Sequence, residues 1–169
     1  MQVYYVEIDK FLKTHSKDFL FPYADIELKT EKRFYEYTIG RYLVKYIAQK
    51  YYNIDNTEIV KNTDGKPFFI NADLHFSLSH SKNIVIACFD KSPCGIDIEY
   101  IKERDFKKLS EYFDRRFESL EDFYKFWTTK EATYKSTQCN KYILNQIFQD
   151  CYYLTFVGQS KSFGICEII

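Results

Sequence analysis

Residues 94–99 read Cys-Gly-Ile-Asp-Ile-Glu, and this short stretch is the most informative part of the sequence for the fold. Side chains two positions apart on a β-strand point to the same face of the sheet. Asp97 and Glu99 are therefore expected to project together, while Ile96 and Ile98 enter the core. Two neighbouring carboxylates repel each other, and a hard cation with oxygen ligands, Mg²⁺ or Mn²⁺, would offset that repulsion. The alternative is an exposed strand face that carries two solvated acids.

The pattern on both sides of this stretch alternates between strands and helices. Residues 1–9 are rich in β-branched and aromatic side chains, which is typical of a strand. Between residues 30 and 50, apolar side chains recur with a helical period. Short strands are predicted over residues 66–70, 74–78, 83–89 and 95–101, helices over residues 103–113 and 120–136, and a closing hairpin over residues 152–157 and 162–169. Helices combined with antiparallel-looking strands predict an α+β fold.

The composition and charge of the chain limit the partners that it can have. Apolar residues make up 46% of the 169, which is enough for one domain or for two small subdomains around a shared core. The 24 Lys and Arg residues balance the 24 Asp and Glu residues. Because there is no net charge to attract nucleic acid or an anionic membrane, we expect neither as a partner. Any phosphate must be bound by a local group of side chains.

Cysteine usage and the N-terminal sequence indicate a cytoplasmic protein. The first ten residues lack the basic and apolar regions of a signal peptide, and no apolar stretch approaches the roughly 18 residues of a membrane span. The cysteines form no Cys-x-x-Cys pair, and we expect them to be reduced and mostly buried. They are Cys88, Cys94, Cys139, Cys151 and Cys166.

A second motif, Phe-Trp-Thr-Thr-Lys-Glu-Ala-Thr-Tyr-Lys, occupies residues 126–135 in the last predicted helix. Glu131 and Lys135 are four residues apart, so they lie on the same helix face. Trp127 precedes Glu131 by four residues and is expected to anchor the helix in the core. The alternative to a functional role is an ordinary surface ion pair between Glu131 and Lys135, worth about 0.3–0.5 kcal/mol.

Two further motifs are suited to phosphate binding. Residues 76–81 read Phe-Ser-Leu-Ser-His-Ser, where a strand pattern is expected to run into a turn. Such a turn can bind phosphate through backbone N–H groups, the Ser79 hydroxyl and a protonated His80. The alternative is a turn histidine that is satisfied within the protein. In Gly-Lys-Pro at residues 65–67, a turn places Lys66 just before a stiff extended segment.

These four motifs, in this order and at these spacings, resemble those of the Sfp-type 4′-phosphopantetheinyl transferase family. The resemblance covers roughly residues 25–136. It implies two similar α+β subdomains related by pseudo-twofold symmetry, here residues 1–95 and 96–169, with coenzyme A and Mg²⁺ in the cleft between them. The chain is shorter than typical members of the family, and the difference falls in the last third and in the loops.

The resemblance also implies a role for each matching residue. The metal would be held by Asp97, Glu99 and Glu131, and the catalytic residues would be Glu131 and Lys135. Coenzyme A would be bound by Arg41, Lys66, Pro67, Ser79, His80 and Lys135, with Arg41 at the 3′-phosphate, Lys66 and Pro67 beside the adenine nucleotide, and Lys135 at the pyrophosphate. Glu118 lies one residue beyond the position where family members often carry a glutamate, so it is left outside the site.

The implied activity is that of a Mg²⁺-dependent transferase, in which Mn²⁺ could replace Mg²⁺. A serine hydroxyl of an apo acyl or peptidyl carrier protein would attack the β-phosphorus of coenzyme A, and 3′,5′-ADP would leave. Glu131 or a water beside the metal would help to remove the serine proton, and Lys135 would stabilise the leaving group. The alternatives are another Mg²⁺-dependent phosphate-processing enzyme and a non-catalytic module that binds coenzyme A or the carrier protein. The family habit suggests a monomer.

The carrier protein is expected to dock near residues 102–124. This stretch combines basic side chains with apolar ones, although the whole protein is neutral. The basic residues are Lys107, Lys108, Arg115 and Arg116, and the apolar contacts would come from Phe113, Phe117 and Tyr124. The alternative is a solvated helix face.

Overall fold

The structure is a computed structural model that describes residues 1–137 and 141–168. The helices are α1 (Ile8–Thr14), α2 (Lys17–Leu20), α3 (Glu31–Tyr52), α4 (Phe106–Phe113) and α5 (Leu120–Lys135). The strands are β1 (Gln2–Glu7), β2 (Ile59–Lys61), β3 (Pro67–Phe69), β4 (His75–Ser81), β5 (Ile84–Asp90), β6 (Gly95–Tyr100), β7 (Tyr142–Phe148), β8 (Tyr152–Gly158) and β9 (Gly164–Glu167). Cys139 and the end of the last predicted strand at Ile169 lie outside the described residues.

The strands form two main sheets and one short ribbon. The first sheet has the order β4-β5-β1-β9, the second has the order β6-β8-β7, and β2 pairs with β3 in the ribbon. Strand β9 pairs with β1 in parallel, and the other neighbours pair antiparallel. The predicted α+β fold is confirmed. Strand β9 belongs to the first sheet, so this sheet contains strands from both sides of the predicted division at residue 95. The division and the pseudo-twofold symmetry stay predictions.

Helix α3 packs against the first sheet and carries residues toward its outer strand. The helix begins after Thr30, whose hydroxyl accepts a hydrogen bond from the Arg33 N–H, and it ends at Asn53 in the left-handed conformation. Its apolar residues Ile39 and Leu43 are fully buried. The N-terminal turns of α3 thereby come to lie beside β4.

Helix α5 lies unusually close to the start of β6 in the second sheet. A Cβ atom on Gly95 would lie 1.9 Å from the carbonyl oxygen of Ala132, so only glycine fits where strand and helix backbones meet. The helix begins after Ser119, whose hydroxyl accepts from the Asp122 N–H. The close approach brings the last two turns of α5 over the carboxylates of β6.

The two main sheets meet along β4 and β6, which are an edge strand of each sheet. Three serine hydroxyls on alternate positions of β4 accept hydrogen bonds from three alternate backbone N–H groups of β6. The pairs are Ser77 with Ile96 at 3.2 Å, Ser79 with Ile98 at 3.3 Å and Ser81 with Tyr100 at 3.0 Å. We call these three contacts the serine seam. It satisfies edge N–H groups that would otherwise be buried without a partner.

Two sequence predictions about local structure were wrong. The turn expected at Ser79 and His80 is part of β4, because the ladder with β5 continues to the pair Ser81–Ile84 and the serine seam extends equally far. The closing hairpin is also absent from the described residues, since β8 pairs with β6 and β7 whereas β9 pairs with β1. Strand β7 was not predicted, because polar Asn145 and Gln146 interrupt its alternation.

Searched over the described residues, the chain has no helix that is both long enough and apolar enough to cross a membrane. The described cysteines are free thiols. Cys88 and Cys94 are buried with their sulfur atoms 3.5 Å apart, while Cys166 is exposed. The thiols are therefore less uniformly buried than the sequence suggested.

Candidate functional site

A cleft follows β4, with α3 on one side and α5 on the other. One hollow of about 510 Å³ is lined by residues that include Gly65, Lys66, Pro67, Leu78, Glu131 and Lys135. A second hollow of about 270 Å³ is lined by residues that include Arg33, Glu36, Arg41, Pro67, Leu78 and His80. Because Pro67, Phe76 and Leu78 line both hollows, the two adjoin. Most of the residues singled out from the sequence lie in or beside this one cleft.

Asp97 is a buried carboxylate at the centre of a polar network. Only 4% of the residue is exposed, which excludes the alternative of a solvated acid on an open strand face. Its Oδ1 accepts hydrogen bonds from Lys135 Nζ at 2.7 Å and from Ser79 Oγ at 2.8 Å. Its Oδ2 is buried without a hydrogen-bond partner among the described residues. One oxygen of Asp97 is therefore paired with the ammonium group of Lys135, and the other can still accept a hydrogen bond or bind a cation.

Glu99 points to the same face as Asp97, as the strand pattern predicted. Its Oε1 accepts from the Trp127 indole N–H at 3.3 Å, and its Oε2 accepts from Ser81 Oγ at 3.2 Å. Burial raises the pKa of Glu99, and the negative charge of Asp97 raises it further, while the two hydrogen bonds act in the opposite direction. Each oxygen of Glu99 is thus fixed by a neighbouring element.

Glu131 and Lys135 lie on one face of α5, as their spacing predicted, but the ion pair that Lys135 forms is a different one. Lys135 Nζ binds Asp97, the Ser79 hydroxyl and the carbonyl oxygen of Ile96, each at 2.7–3.2 Å. Lys135 is thus paired across the helix–strand contact with Asp97, and the simple surface pair with Glu131 is not what the structure shows. Glu131 lies one turn earlier on the same face and lines the larger hollow. We call Asp97, Glu99 and Lys135 the C-terminal cluster.

On the other side of β4, His80 faces the first turns of α3. Its Nε2 lies 3.1 Å from Arg33 Nη1, and its Nδ1 lies 3.4 Å from the carboxylate of Glu36. Glu36 is 6% exposed and also lies 3.6 Å from both Lys32 and Arg33. Burial lowers the pKa of His80; Glu36 opposes this, whereas Arg33, Lys135 and Lys32 lower it further. We call Lys32, Arg33, Glu36 and His80 the N-terminal cluster.

Arg41 lies farther along α3 and is held by an internal carboxylate. Its Nη2 donates to Asp25 Oδ2 at 2.7 Å and to the Tyr37 hydroxyl at 3.1 Å. The Arg41 side chain is only 10% exposed, whereas that of Asp25 is 53% exposed. Arg41 lines the smaller hollow, so a phosphate there would compete with the exposed carboxylate of Asp25. Its assignment to the 3′-phosphate stays a prediction.

Lys66 approaches the cleft from a tight turn. The Asn62 side chain accepts hydrogen bonds from the N–H groups of Asp64 and Lys66, and Gly65 adopts a φ of +80° that favours glycine. Lys66 Nζ lies 3.4 Å from the Cys94 carbonyl oxygen, and burial lowers its pKa. The turn aims Lys66 at the same hollow as Lys135, with Pro67 beside it.

Of the three proposed metal ligands, the structure brings two next to each other. Across residues 1–137 and 141–168, no three or more His, Cys, Asp or Glu side chains form a group that could hold a metal ion. Asp97 and Glu99 adjoin on β6, but Glu131 does not complete a group with them in this arrangement. The assignment of a metal to these three residues therefore stays a prediction.

Sequence reasoning gave no role to Glu36 and did not predict the serine seam. Glu36 looked like one of several polar positions on α3, and only the fold shows that it lies beneath His80. Ser77 and Ser81 stood in a quoted motif, but their hydrogen bonds to the backbone of β6 were not predicted. Alternation with Phe76 and Leu78 was the available signal, since it places the serines together on one side of β4.

The apolar part of the expected carrier-docking surface is largely internal. Phe117 and Tyr124 are 5% and 0% exposed, so they belong to the core beneath α4 and α5 and not to a docking face. The basic side chains Lys107, Lys108 and Arg116 are exposed. Arg115 is exposed as well, but it pairs with Asp122 at 2.7 Å.

The fold and the cleft together define an α+β protein in which a carboxylate pair with one lysine faces a group of basic side chains across an edge strand. The 4′-phosphopantetheinyl transferase Sfp of Bacillus subtilis (strain 168) is 31% identical to the chain over 156 residues, which cover 80% of the chain and 69% of that protein. The 4′-phosphopantetheinyl transferase ffp of Bacillus subtilis is 30% identical with the same coverage.

A third relative, the 4′-phosphopantetheinyl transferase gsp of Aneurinibacillus migulanus, is 32% identical over 121 residues, which cover 64% of the chain and 51% of that protein. The chain thus spans from about half to about two thirds of the length of these relatives. No family model matches it. On the evidence of its relatives, the chain belongs to the Sfp-type 4′-phosphopantetheinyl transferase family.

Proposed function

We propose that the protein transfers the 4′-phosphopantetheine group of coenzyme A to a serine hydroxyl of an apo acyl or peptidyl carrier protein in a Mg²⁺-dependent reaction. The observation that carries this proposal is the contact of Lys135 with Asp97 in the cleft, and relatives named as 4′-phosphopantetheinyl transferases support it. In the reaction, a bond forms between the serine oxygen and the β-phosphorus. The bond from that phosphorus to the bridging oxygen breaks, and 3′,5′-ADP leaves with that oxygen.

We infer that two carboxylates of the C-terminal cluster would bind a divalent cation. Asp97 Oδ2 is buried and lacks a partner among the described residues, and Glu99 lies beside it with a raised pKa that a cation would reverse. Carboxylate oxygens are what Mg²⁺ and Mn²⁺ bind. Asp97 and Glu99 would hold the cation, with Glu131 as the proposed third ligand. Such a cation supplies charge neutralisation at the pyrophosphate.

Lys135 is the group that would stabilise the departing charge. Its ammonium group lies at the end of α5 and is shared among Asp97, Ser79 and the Ile96 carbonyl. When the bridging oxygen of the pyrophosphate takes up negative charge, a nearby ammonium stabilises that state more than the ground state. Glu131, which is half-buried and lines the same hollow as Lys135, would accept the proton of the carrier serine.

The N-terminal cluster and its neighbours would bind the 3′-phosphate of coenzyme A, the one phosphate outside the pyrophosphate. Arg33 and His80 lie together in the smaller hollow, and Arg41 lines the same hollow. Guanidinium and imidazolium groups donate strong hydrogen bonds to phosphate oxygens. Lys66 and Pro67, which line the larger hollow, would lie beside the adenine nucleotide. A phosphate in this hollow would also displace the acidic partners, Glu36 and Asp25.

The carrier protein would dock on the exposed basic residues around α4, which are Lys107, Lys108 and Arg116. We also propose that the protein acts as a monomer in the cytoplasm. The free state of the described cysteines is consistent with a reducing compartment.

The test is transfer from labelled coenzyme A to a panel of purified apo acyl and peptidyl carrier proteins, followed by mass spectrometry. We expect a carrier that gains one phosphopantetheine group, with 3′,5′-ADP as the second product. The same carrier with alanine in place of its acceptor serine should gain nothing, and excess chelator should stop the reaction. Cleavage of coenzyme A without carrier modification would instead identify another phosphate-processing enzyme. Binding of coenzyme A without any product would identify a binding module.

A further inference from the structure

The three serines of the serine seam differ in whether they contact a carboxylate. Each of them accepts a hydrogen bond from one backbone N–H group of β6, but only Ser79 and Ser81 also donate one to a carboxylate on that strand in the part of the chain that the structure describes. Ser79 Oγ donates to Asp97 Oδ1 at 2.8 Å, and Ser81 Oγ donates to Glu99 Oε2 at 3.2 Å. The register is constant, since each serine reaches the N–H group 19 residues later.

A hydroxyl group has one hydrogen to donate and two lone pairs with which to accept. The Ser81 oxygen accepts a hydrogen bond from the Tyr100 N–H, which holds it against the backbone of β6. The hydroxyl hydrogen of Ser81 then points at Glu99. In Ser79, both lone pairs are used, by the Ile98 N–H and by Lys135, and the hydrogen is directed at Asp97. The hydroxyl of Ser79 has no capacity left for a phosphate unless one of these contacts is released.

We propose that Ser79 and Ser81 are positioning residues that orient the Asp97 and Glu99 carboxylates for the divalent cation, while the same hydroxyls join the two sheets. This inference rests on the proposed function, because it assigns those carboxylates to a metal. Groups that hydrogen-bond to metal ligands fix the orientation of those ligands, and their loss commonly lowers metal affinity about 10- to 100-fold.

Glu99 gives the sharper test of the two, because Ser79 also contacts Lys135. The Glu99 carboxylate is held on one oxygen by Ser81 and on the other by Trp127. With Ser81 removed, the carboxylate would be held on one side only and could rotate about its last bond. Trp127 is the one tryptophan of the chain, so its fluorescence reports on the immediate surroundings of Glu99.

The experiment compares Ser81→Ala with Ser77→Ala. Ser77 makes the same kind of seam contact, with the Ile96 N–H at 3.2 Å. Within the part of the chain that the structure describes, its hydroxyl makes no hydrogen bond to Asp97 or Glu99, so Ser77→Ala controls for loss of the seam. Mn²⁺ is titrated into the full-length protein in the absence of coenzyme A, and the dissociation constant is taken from the midpoint of the Trp127 fluorescence change. We expect Ser81→Ala to weaken Mn²⁺ binding about 10- to 100-fold and Ser77→Ala to leave it within about twofold of wild type.

Ser81→Thr keeps the hydroxyl on a strand-compatible side chain, and we expect it to bind Mn²⁺ nearly as tightly as wild type. Thermal unfolding of each variant checks the fold; if Ser81→Ala does not fold, Ser81→Cys takes its place, since it keeps the size but has a weak donor. Equal Mn²⁺ affinity in the Ser81 and Ser77 variants overturns the inference, as does the absence of Mn²⁺ binding by the wild-type protein. Carrier modification by the wild type is measured separately, so a failed positioning role is distinguishable from a failed transferase assignment.

Discussion

The two clusters on either side of β4 have opposite charge arrangements. In the C-terminal cluster, the ammonium group of Lys135 pairs with Asp97, and a second carboxylate, that of Glu99, lies beside this pair. In the N-terminal cluster, the buried Glu36 lies within 3.6 Å of Lys32, Arg33 and His80. The first cluster has carboxylate in excess and suits a cation; the second has base in excess and suits a phosphate. If this difference reflects function, changes in the C-terminal cluster should lower kcat, and changes near the N-terminal cluster should weaken coenzyme A binding.

The largest expected effect is that of Asp97→Asn. The change keeps the shape of the side chain but removes the charge that pairs with Lys135 and that would bind the cation. We expect kcat to fall on the order of 10²-fold or more and the Mn²⁺ dissociation constant to rise. The measurements are steady-state kinetics with an apo carrier protein and Mn²⁺ titration. Asp150→Asn, at the exposed turn between β7 and β8, is the matched control and should behave as wild type; near-normal kcat in Asp97→Asn would remove the C-terminal cluster from the reaction.

Lys135→Ala sharpens the comparison, because it separates cation binding from charge stabilisation within one cluster. We expect kcat to fall on the order of 10²-fold. Mn²⁺ affinity should not fall with it, since the ammonium group and a cation compete for Asp97. Lys135→Arg should restore little activity, because a planar guanidinium does not reproduce a point charge at the same distance. A parallel loss of Mn²⁺ affinity in Lys135→Ala would show that Lys135 supports the metal site instead of competing with it.

Arg41→Gln tests the other side of the cleft. The loss of one charged phosphate contact should cost about 1.5–3 kcal/mol of binding, which is roughly a 10- to 100-fold loss of coenzyme A affinity with kcat little changed. The preference for coenzyme A over 3′-dephospho-coenzyme A should disappear, as measured by calorimetry. Asp25→Asn is the control, because it breaks the same internal ion pair while it keeps the guanidinium. Unchanged preference in Arg41→Gln would assign the 3′-phosphate to other residues.

A glycine on each side of the cleft offers a comparison of stability. A Cβ on Gly95 would lie 1.9 Å from a backbone oxygen of α5, whereas a Cβ on Gly40 of α3 would meet the Leu78 side chain at an ordinary 3.6 Å. We expect Gly95→Ala to destabilise the protein by about 1–3 kcal/mol and to lower kcat, because α5 carries Lys135. Gly40→Ala should be neutral or stabilising by up to about 1 kcal/mol. Urea unfolding measures both, and equal stability of the two variants would contradict the close helix–strand contact.

The smallest expected effect is the pH dependence of coenzyme A binding. Burial lowers the pKa of His80 below its usual value, so the free residue is mostly neutral at neutral pH. A bound phosphate favours the imidazolium and would raise that pKa, so binding should take up a proton. Affinity should therefore rise as pH falls below the bound-state pKa and level off below the lowered free-state pKa, by at most tenfold per pH unit. His80→Gln should flatten the profile measured from about pH 6 to 8; an unchanged slope would exclude His80 as its source.

Much of the candidate site was predictable because the spacing of residues along a strand or a helix determines which side chains share a face. The alternation of Ile96 and Ile98 with Asp97 and Glu99 fixed the face on which the acids lie, and the structure confirms it. The spacing of Glu131 and Lys135 likewise fixed the face of α5. What that spacing could not show is the partner of Lys135. A helix with this face can be packed against many surfaces, and in the folded chain the close approach at Gly95 accompanies the contact of Lys135 with Asp97.

The sequence by itself determined the α+β class, the main helices, the strand faces and the motifs that resemble the family, because each depends on residues close together in the chain. The tertiary structure alone decided that β9 joins the first sheet, that Ser79 and Ser81 lie in a strand, and that their hydroxyls meet β6. It also decided that Glu36 lies beneath His80. These contacts join residues far apart in sequence, and they form because buried edge N–H groups and buried charges must find partners wherever the fold brings them.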